Sequence, residues 1–357
     1  MGQKVDYIIV GQGLAGSALA LQCLNRSRKI LVIDKAVANT ASRVAVGLFN
    51  PITGRFLVKT WLADQLFPYL HTFYKNAELA VKSRFFYPLP LYRPFATIEE
   101  QNEWMGKSAD PAYQHYLKSI STSSSFDFLR DDFGGFMLNH CGYLDCNQYL
   151  EAVRNQISVA GLLMDEVFEE DSLEIQENSV WYKGYEATAI IFCQGMAPCK
   201  WFRWVPILPL KGETLRIESE DRENIIVNRG VYAVPANQNG KWRVGATYSR
   251  NDSSPGTTEA ARHELVSKLS DLLRRPFSVI DQEWGIRPTT HDRKPVLGRH
   301  PEHKRLYILN GMGPKGVSLS PYFSEILIRS IENQSPLNKD VNIERYKSLY
   351  WSPSTRI

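Results

Sequence analysis

Residues Asp6–Val10 read DYIIV, a short apolar run suited to a central parallel strand. The turn Gly11-Gln12-Gly13-Leu14-Ala15-Gly16 follows directly, then the helix-forming SALALQCLNRS, then a second strand, KILVIDK, at Lys29–Lys35. Strand, glycine turn, helix and strand in this order make a βαβ unit that binds a dinucleotide. Gly11 permits the tight turn, Gly13 lets a pyrophosphate approach the backbone, and Gly16 lets the helix pack on the strand. The amides of Leu14 and Ala15 open the helix, whose N-terminus carries about half a positive charge for the phosphates. Asp34 ends the second strand, with Lys35 beside it, where a carboxylate accepts ribose hydroxyls. That carboxylate argues against a 2′-phosphate. The unit alone does not separate NAD from FAD.

The rest of the chain must then supply a substrate-handling part. At 357 residues it is too long for one core, and two domains are expected. Composition is that of an ordinary globular protein, and a net charge of +4 gives no push toward nucleic acid. The five cysteines form no CxxC pair, which suits reduced thiols in the cytoplasm. The apolar run Ile8–Leu24 is punctuated by glycines and reads as strand and helix rather than signal peptide. No other stretch is long enough to span a membrane. The histidines show no HExxH or other ligand spacing, so no metal is expected.

Further along, residues 56–80 show helical spacing. Prolines at 88, 90 and 94 suit edge strands or loops, and SISTSSSFDF at 119–128 reads as a mobile loop or linker. A helix is expected over Asn147–Ala160, and a buried strand ends at Gly195. Residues 206–250 read as antiparallel strands with a turn at Asn239–Gly240, and 257–274 as a helix capped by Thr257 or Thr258. Arg305–Gly316 is strand then glycine turn, followed by a last helix. The fold expected is α/β: a Rossmann-like dinucleotide-binding domain, which the resemblance described next makes FAD-binding, with an inserted antiparallel-sheet α+β substrate domain. The first takes residues 1–83, 141–205 and 285–357, the second 84–140 and 206–284.

Several segments, in order, resemble the D-amino-acid oxidase and glycine oxidase family of flavoenzymes, from Asp6 to about Ile331. ASRVAVGL (Ala41–Leu48) resembles a motif whose amides pass near the flavin, with Ser42, Ala45 and Gly47 matching. Val167 is similar to the residue whose backbone contacts adenine. ATAIIFCQG keeps the family glycine at Gly195 but departs from the pattern at Cys193 and Gln194. LPLKGETLRI resembles a P-x-K-G-Q strand. WGIRPTTHDRKPVLG resembles G-x-R-P-x-T-x-D-G-x-P-x-x-G, with Arg293 in place of the usual glycine. NGMGPKGVSLSP resembles the loop-helix at the flavin pyrimidine edge, through Gly311, Gly313 and Gly316, where Lys315 could add charge.

The resemblance implies non-covalent FAD, since no cysteine follows Cys199. It implies oxidation of the C–N bond of a small amino acid or secondary amine by hydride transfer to flavin N5, with dioxygen or another acceptor reoxidising FAD. Arg287 would clamp the substrate carboxylate, a job that suits a bidentate, always-charged guanidinium. Tyr232 matches a tyrosine that bonds the same carboxylate, and Tyr248 could face the pocket. GLFNPITGRF (Gly47–Phe56) is also similar to the flavin domain of the enzyme that trims carboxymethylaminomethyl-uridine in tRNA, a rival reading. A non-catalytic flavoprotein is the third. A homo-oligomer is compatible with all three.

Overall fold

The computed structural model describes residues 2–54, 57–221, 223–236 and 240–351. Arg55, Phe56 and Asn239, to which parts of the readings above refer, lie outside them.

The apolar runs form one parallel sheet. Gln3–Val10 pairs with Ile30–Ile33 on one side and Tyr185–Phe192 on the other. Leu306–Asn310 continues the sheet beside Tyr185–Phe192, and Leu163–Met164 extends it beyond Ile30–Ile33. Ile8, Ile9, Val32, Ile33, Ile190 and Ile191 are fully buried, as strands covered on both faces require. The helices Leu14–Asn25 and Gly316–Ile331 pack together against this sheet. The α/β character read from the sequence is therefore what the chain adopts.

The second sheet has eight strands among the described residues. Phe277–Thr289 pairs with Leu208–Ser219, and Lys241–Gly245, Val231–Pro235 and Ile226–Arg229 follow in antiparallel order. Helix Glu259–Ser270 covers its back, where Leu265 and Leu269 meet Leu215, Ile217 and Val244. Thr258 caps that helix by accepting from Ala261 N, one of the two caps foreseen.

Three expectations need correction. The helix expected at 56–80 begins only at Ala63 and runs to Val81, because Val58–Lys59 pairs with Ile52–Thr53 and Thr60 N bonds Pro51 O at 2.7 Å. Leu91–Pro94 is not an edge strand: it lies between Ile226–Arg229 and Gly135–Leu138. The polar segment 119–128 is not a linker. Its start is the strand Leu117–Ser121, and the buried Asp131 carboxylate then gathers Ser124 Oγ, Ser125 N, Phe126 N and Tyr92 OH. A carboxylate with that many donors can stay buried.

Candidate functional site

The three glycine turns end neighbouring parallel strands, the place where ligands bind in doubly wound sheets. Gly11 has φ 96°, and a side chain there would lie 2.6 Å from Cys193 O. One at Gly16 would lie 1.8 Å from Gly11 O, so helix and turn meet without any side chain between them. Asn310 Nδ2 donates to Gly195 O at 2.8 Å while its Oδ1 accepts Gly311 N, which ties the other two turns together.

Helix Leu14–Asn25 starts at Gly13 with no side-chain cap and no acid in its first turn. Its positive end is unneutralised from within, apart from Leu14 N donating to Ser42 Oγ at 3.1 Å. Gly316 opens the last helix against Leu14: a side chain on it would lie 3.0 Å from Leu14 Cδ1. Both helix N-termini thus converge. Among the described residues the buried Gln194 Oε1, in the turn that follows strand Tyr185–Phe192, has no hydrogen-bond partner. These features fit the diphosphate and isoalloxazine of FAD. Gly11, Gly13, Leu14, Ala15 and Gly16 would hold the phosphates, and Gly311 and Gly313 would stand with Gly316 at the ring.

Asp34 is already held. Gln12 N donates to its Oδ1 at 2.9 Å and Arg154 Nη1 to its Oδ2 at 2.8 Å. Arg154 also reaches Asp165, which pairs with exposed Lys35 at 3.5 Å. Val167, two residues after Asp165, is 69% exposed. Gly47 closes the other side, packed on Leu144 O, with Ala45 in the turn after helix Ala41–Val44. Neither Arg154 nor Gln12 was legible as a site residue, because no local pattern announces either.

Lys315 lies in the last turn with its ammonium donating to Thr53 Oγ1 at 3.2 Å and Thr60 Oγ1 at 3.3 Å. Burial, and then the Arg293 charge, lower its pKa. Arg293 sits where the resembling motif has glycine and keeps a left-handed φ of 58°. The turn is held by Arg293 N bonding Thr290 O and Thr290 Oγ1 bonding Lys294 O at 2.6 Å.

Arg287 lies on the second sheet, opposite Leu210. Its guanidinium folds over Gly212: a side chain there would lie 2.1–2.3 Å from Nη1, Nη2 and Cζ. Only glycine leaves room. Nη1 donates to Thr247 O at 3.3 Å, and the guanidinium carbon stands 4.9 Å from the Tyr248 ring centre. Among the described residues no carboxylate pairs with it. The next strands bring Tyr232 to the same face, opposite Gly245, itself opposite Thr214. Burial, then the neighbouring Tyr248, push the Tyr232 phenol up, so it is a neutral donor at any physiological pH. Tyr248 is 60% exposed and forms an outer wall. The structure therefore brings Arg287, Tyr232 and Tyr248 together. Arg243 joins this face to the end of helix Ala41–Val44, donating to Val44 O and to Glu283. No cluster of three His, Cys, Asp or Glu is arranged for a metal among the described residues.

Comparison with known proteins identifies the family. The chain is 23% identical to glycine oxidase of Bacillus licheniformis over 385 aligned positions, covering 92% of this chain and 93% of that one. It is 22% identical to the tRNA 5-methylaminomethyl-2-thiouridine biosynthesis bifunctional protein of Marinobacter nauticus, covering 92% of this chain. It spans 55%, about half, of that relative's length. The crystal structure of glycine oxidase from Geobacillus kaustophilus superposes with a TM-score of 0.75 at 17% identity, over 94% of this chain and 96% of that one. Residues 6–329 match the FAD dependent oxidoreductase family. The chain belongs to that family, and FAD is its cofactor.

Proposed function

We propose that the chain oxidises the C–N bond of a small amino acid or secondary amine that carries a carboxylate. One observation carries the reading: Arg287 is a guanidinium without a carboxylate partner among the described residues, set beside Tyr232 and Tyr248 on the sheet face that meets the flavin-side segment at Val44. A cation so placed binds a carboxylate bidentately, and the tyrosine hydroxyls add donors. Held by that end, the substrate presents its amine-bearing carbon in one orientation. Bound FAD supplies the hydride acceptor. The second sheet is then the core of the substrate domain, drawn from 84–140 and 206–284, with strand Phe277–Thr289 running past residue 284 to carry Arg287. Dioxygen or another acceptor completes the cycle, and the free cysteines suit a cytoplasmic enzyme. No helix among the described residues is long and apolar enough to cross a membrane.

The test is anaerobic mixing of the yellow protein with glycine, sarcosine, D-amino acids and proline. Bleaching by at least one is expected; none bleaching it removes the reading and leaves the flavoprotein.

The similarity to the tRNA-modifying relative supports a second reading. A carboxymethylaminomethyl group is also a secondary amine with a carboxylate, so Arg287 would keep its task. Salt-sensitive retention of tRNA favours it, and no retention at low salt removes it.

A further inference from the structure

We propose that Lys211 and Asp252 are positioning residues for the carboxylate clamp: their ion pair fastens loop 246–258 so that the Thr247 carbonyl and the Tyr248 ring stay on Arg287. The proposal rests on the clamp reading above.

Loop 246–258 lies along strand Leu208–Ser219. Thr247 N bonds Glu213 O at 3.1 Å, and Ser249 and Lys211 exchange both backbone bonds at 2.9 and 3.0 Å. Side chains alternate along the strand. Gly212, under the guanidinium, faces the site, so Lys211 and Glu213 point to the back. There they hold the loop at two places. Lys211 Nζ donates to Asp252 Oδ2 at 2.8 Å. Glu213 accepts Thr258 N at 2.8 Å and Thr258 Oγ1 at 2.9 Å. Gln282 Nε2 closes the cluster on Glu213 at 2.7 Å.

Lys211 is 1% exposed, on the same face as apolar Leu215 and Ile217. A buried ammonium costs several kcal/mol unless paired, and an apolar side chain would pack there more cheaply. What the charge adds is direction. The loop reads Ser249-Arg250-Asn251-Asp252-Ser253-Ser254-Pro255-Gly256, with no apolar residue to bury beyond its proline, and Arg250, Asn251, Ser253, Ser254 and Pro255 are exposed. Between the backbone bonds at Thr247 and Ser249 and the Glu213 bonds at Thr258, its side-chain tether to the strand is the Lys211–Asp252 ion pair. Lys211 first, then Ser254, draws the Asp252 pKa down to about 2, so the pair persists at any working pH. Tyr248 is itself mostly exposed, and its place on Arg287 follows from the loop.

The experiment uses flavin-loaded Asp252→Asn and Lys211→Met enzymes. Amide hydrogen exchange is read over 246–258. Acetate, as a bare carboxylate, is titrated against the visible flavin spectrum, and KM and kcat are measured with the best amine substrate. Exchange is expected to accelerate in the loop, and acetate affinity to fall about tenfold, the loss of an interaction worth ~1–2 kcal/mol. KM rises while kcat and flavin content stay near wild type, a split that general loosening would not produce. Asp252→Glu, keeping the charge, restores most of the affinity. Wild-type exchange and wild-type acetate affinity in Asp252→Asn, whose side chain is partly exposed, overturn the proposal. If the unaltered enzyme binds no acetate, the clamp reading itself fails, and the exchange rates alone decide whether the pair fastens the loop.

Discussion

Arg154 donates through Nη1 to Asp34 Oδ2 at 2.8 Å, and through Nη2 to the Asp34 main-chain oxygen at 3.2 Å. The carboxylate we propose for the ribose is therefore held in place by a guanidinium 120 residues away in sequence. Removing that guanidinium takes the donor from Asp34 Oδ2 and leaves Gln12 N holding only Oδ1. Arg154→Met is expected to weaken FAD binding about 10- to 100-fold, in line with ~1–3 kcal/mol for a partly buried charged pair. Flavin fluorescence on dialysis measures it, and FAD retained as tightly as in wild type would contradict the assignment.

Arg287→Lys keeps a positive charge but removes the fork. The expected result is a rise in KM of about 100-fold for the carboxylate substrate, from ~2–3 kcal/mol of lost bidentate bonding. The flavin spectrum should be unchanged. Steady-state kinetics against amines with and without a carboxylate reads the difference, which should vanish for the amine that lacks one.

Gly212→Ala tests the same clamp from the strand beneath. The added methyl would lie 2.1–2.3 Å from the guanidinium, so Arg287 must leave its seat. Alanine is less disfavoured in a strand than the glycine it replaces. Hence the thermal midpoint is expected to change little while kcat/KM falls about 10- to 100-fold, as a misplaced substrate requires. A large loss of stability with kinetics intact in the folded fraction would place the glycine in a purely structural role.

Acid stability should turn on His300, which is 3% exposed. Its Nδ1 accepts Glu302 N at 3.2 Å and His303 N at 3.0 Å, which requires the neutral ring. Burial lowers it to about 4 from 6.5, and burial lowers His71 likewise. The folded state therefore binds fewer protons than the unfolded one between these values, so stability rises with pH there. Urea midpoints are expected to be flat above 6.5 and to fall from 6.5 toward 4. His300→Gln should reduce that slope; an unchanged slope would acquit the histidine.

The boundary of what could be read in advance follows the range of the interactions. Cys193, at a position where the family pattern differs, turns out to matter through its backbone oxygen, which packs on Gly11, a role almost any side chain allows. Arg293 occupies a glycine position and keeps the left-handed backbone, because the turn is fastened on both sides by Thr290. Segment 119–128 looked like a linker because its serines carry no apolar signal. Its order comes from Asp131, whose burial depends on Tyr92 from another strand.

By itself the amino-acid order determined the dinucleotide unit, the glycine turns and the change from α/β to antiparallel character. Each depends on backbone geometry and amides within a few consecutive residues. Tertiary structure alone decided that Arg154 bonds Asp34, that Gly212 seats Arg287, and that Lys211 pairs with Asp252 in the loop bearing Tyr248. Those contacts join strands, helices and loops far apart in the chain. Hydrogen bonds and steric gaps act over a few ångströms in space, whatever the separation along the sequence.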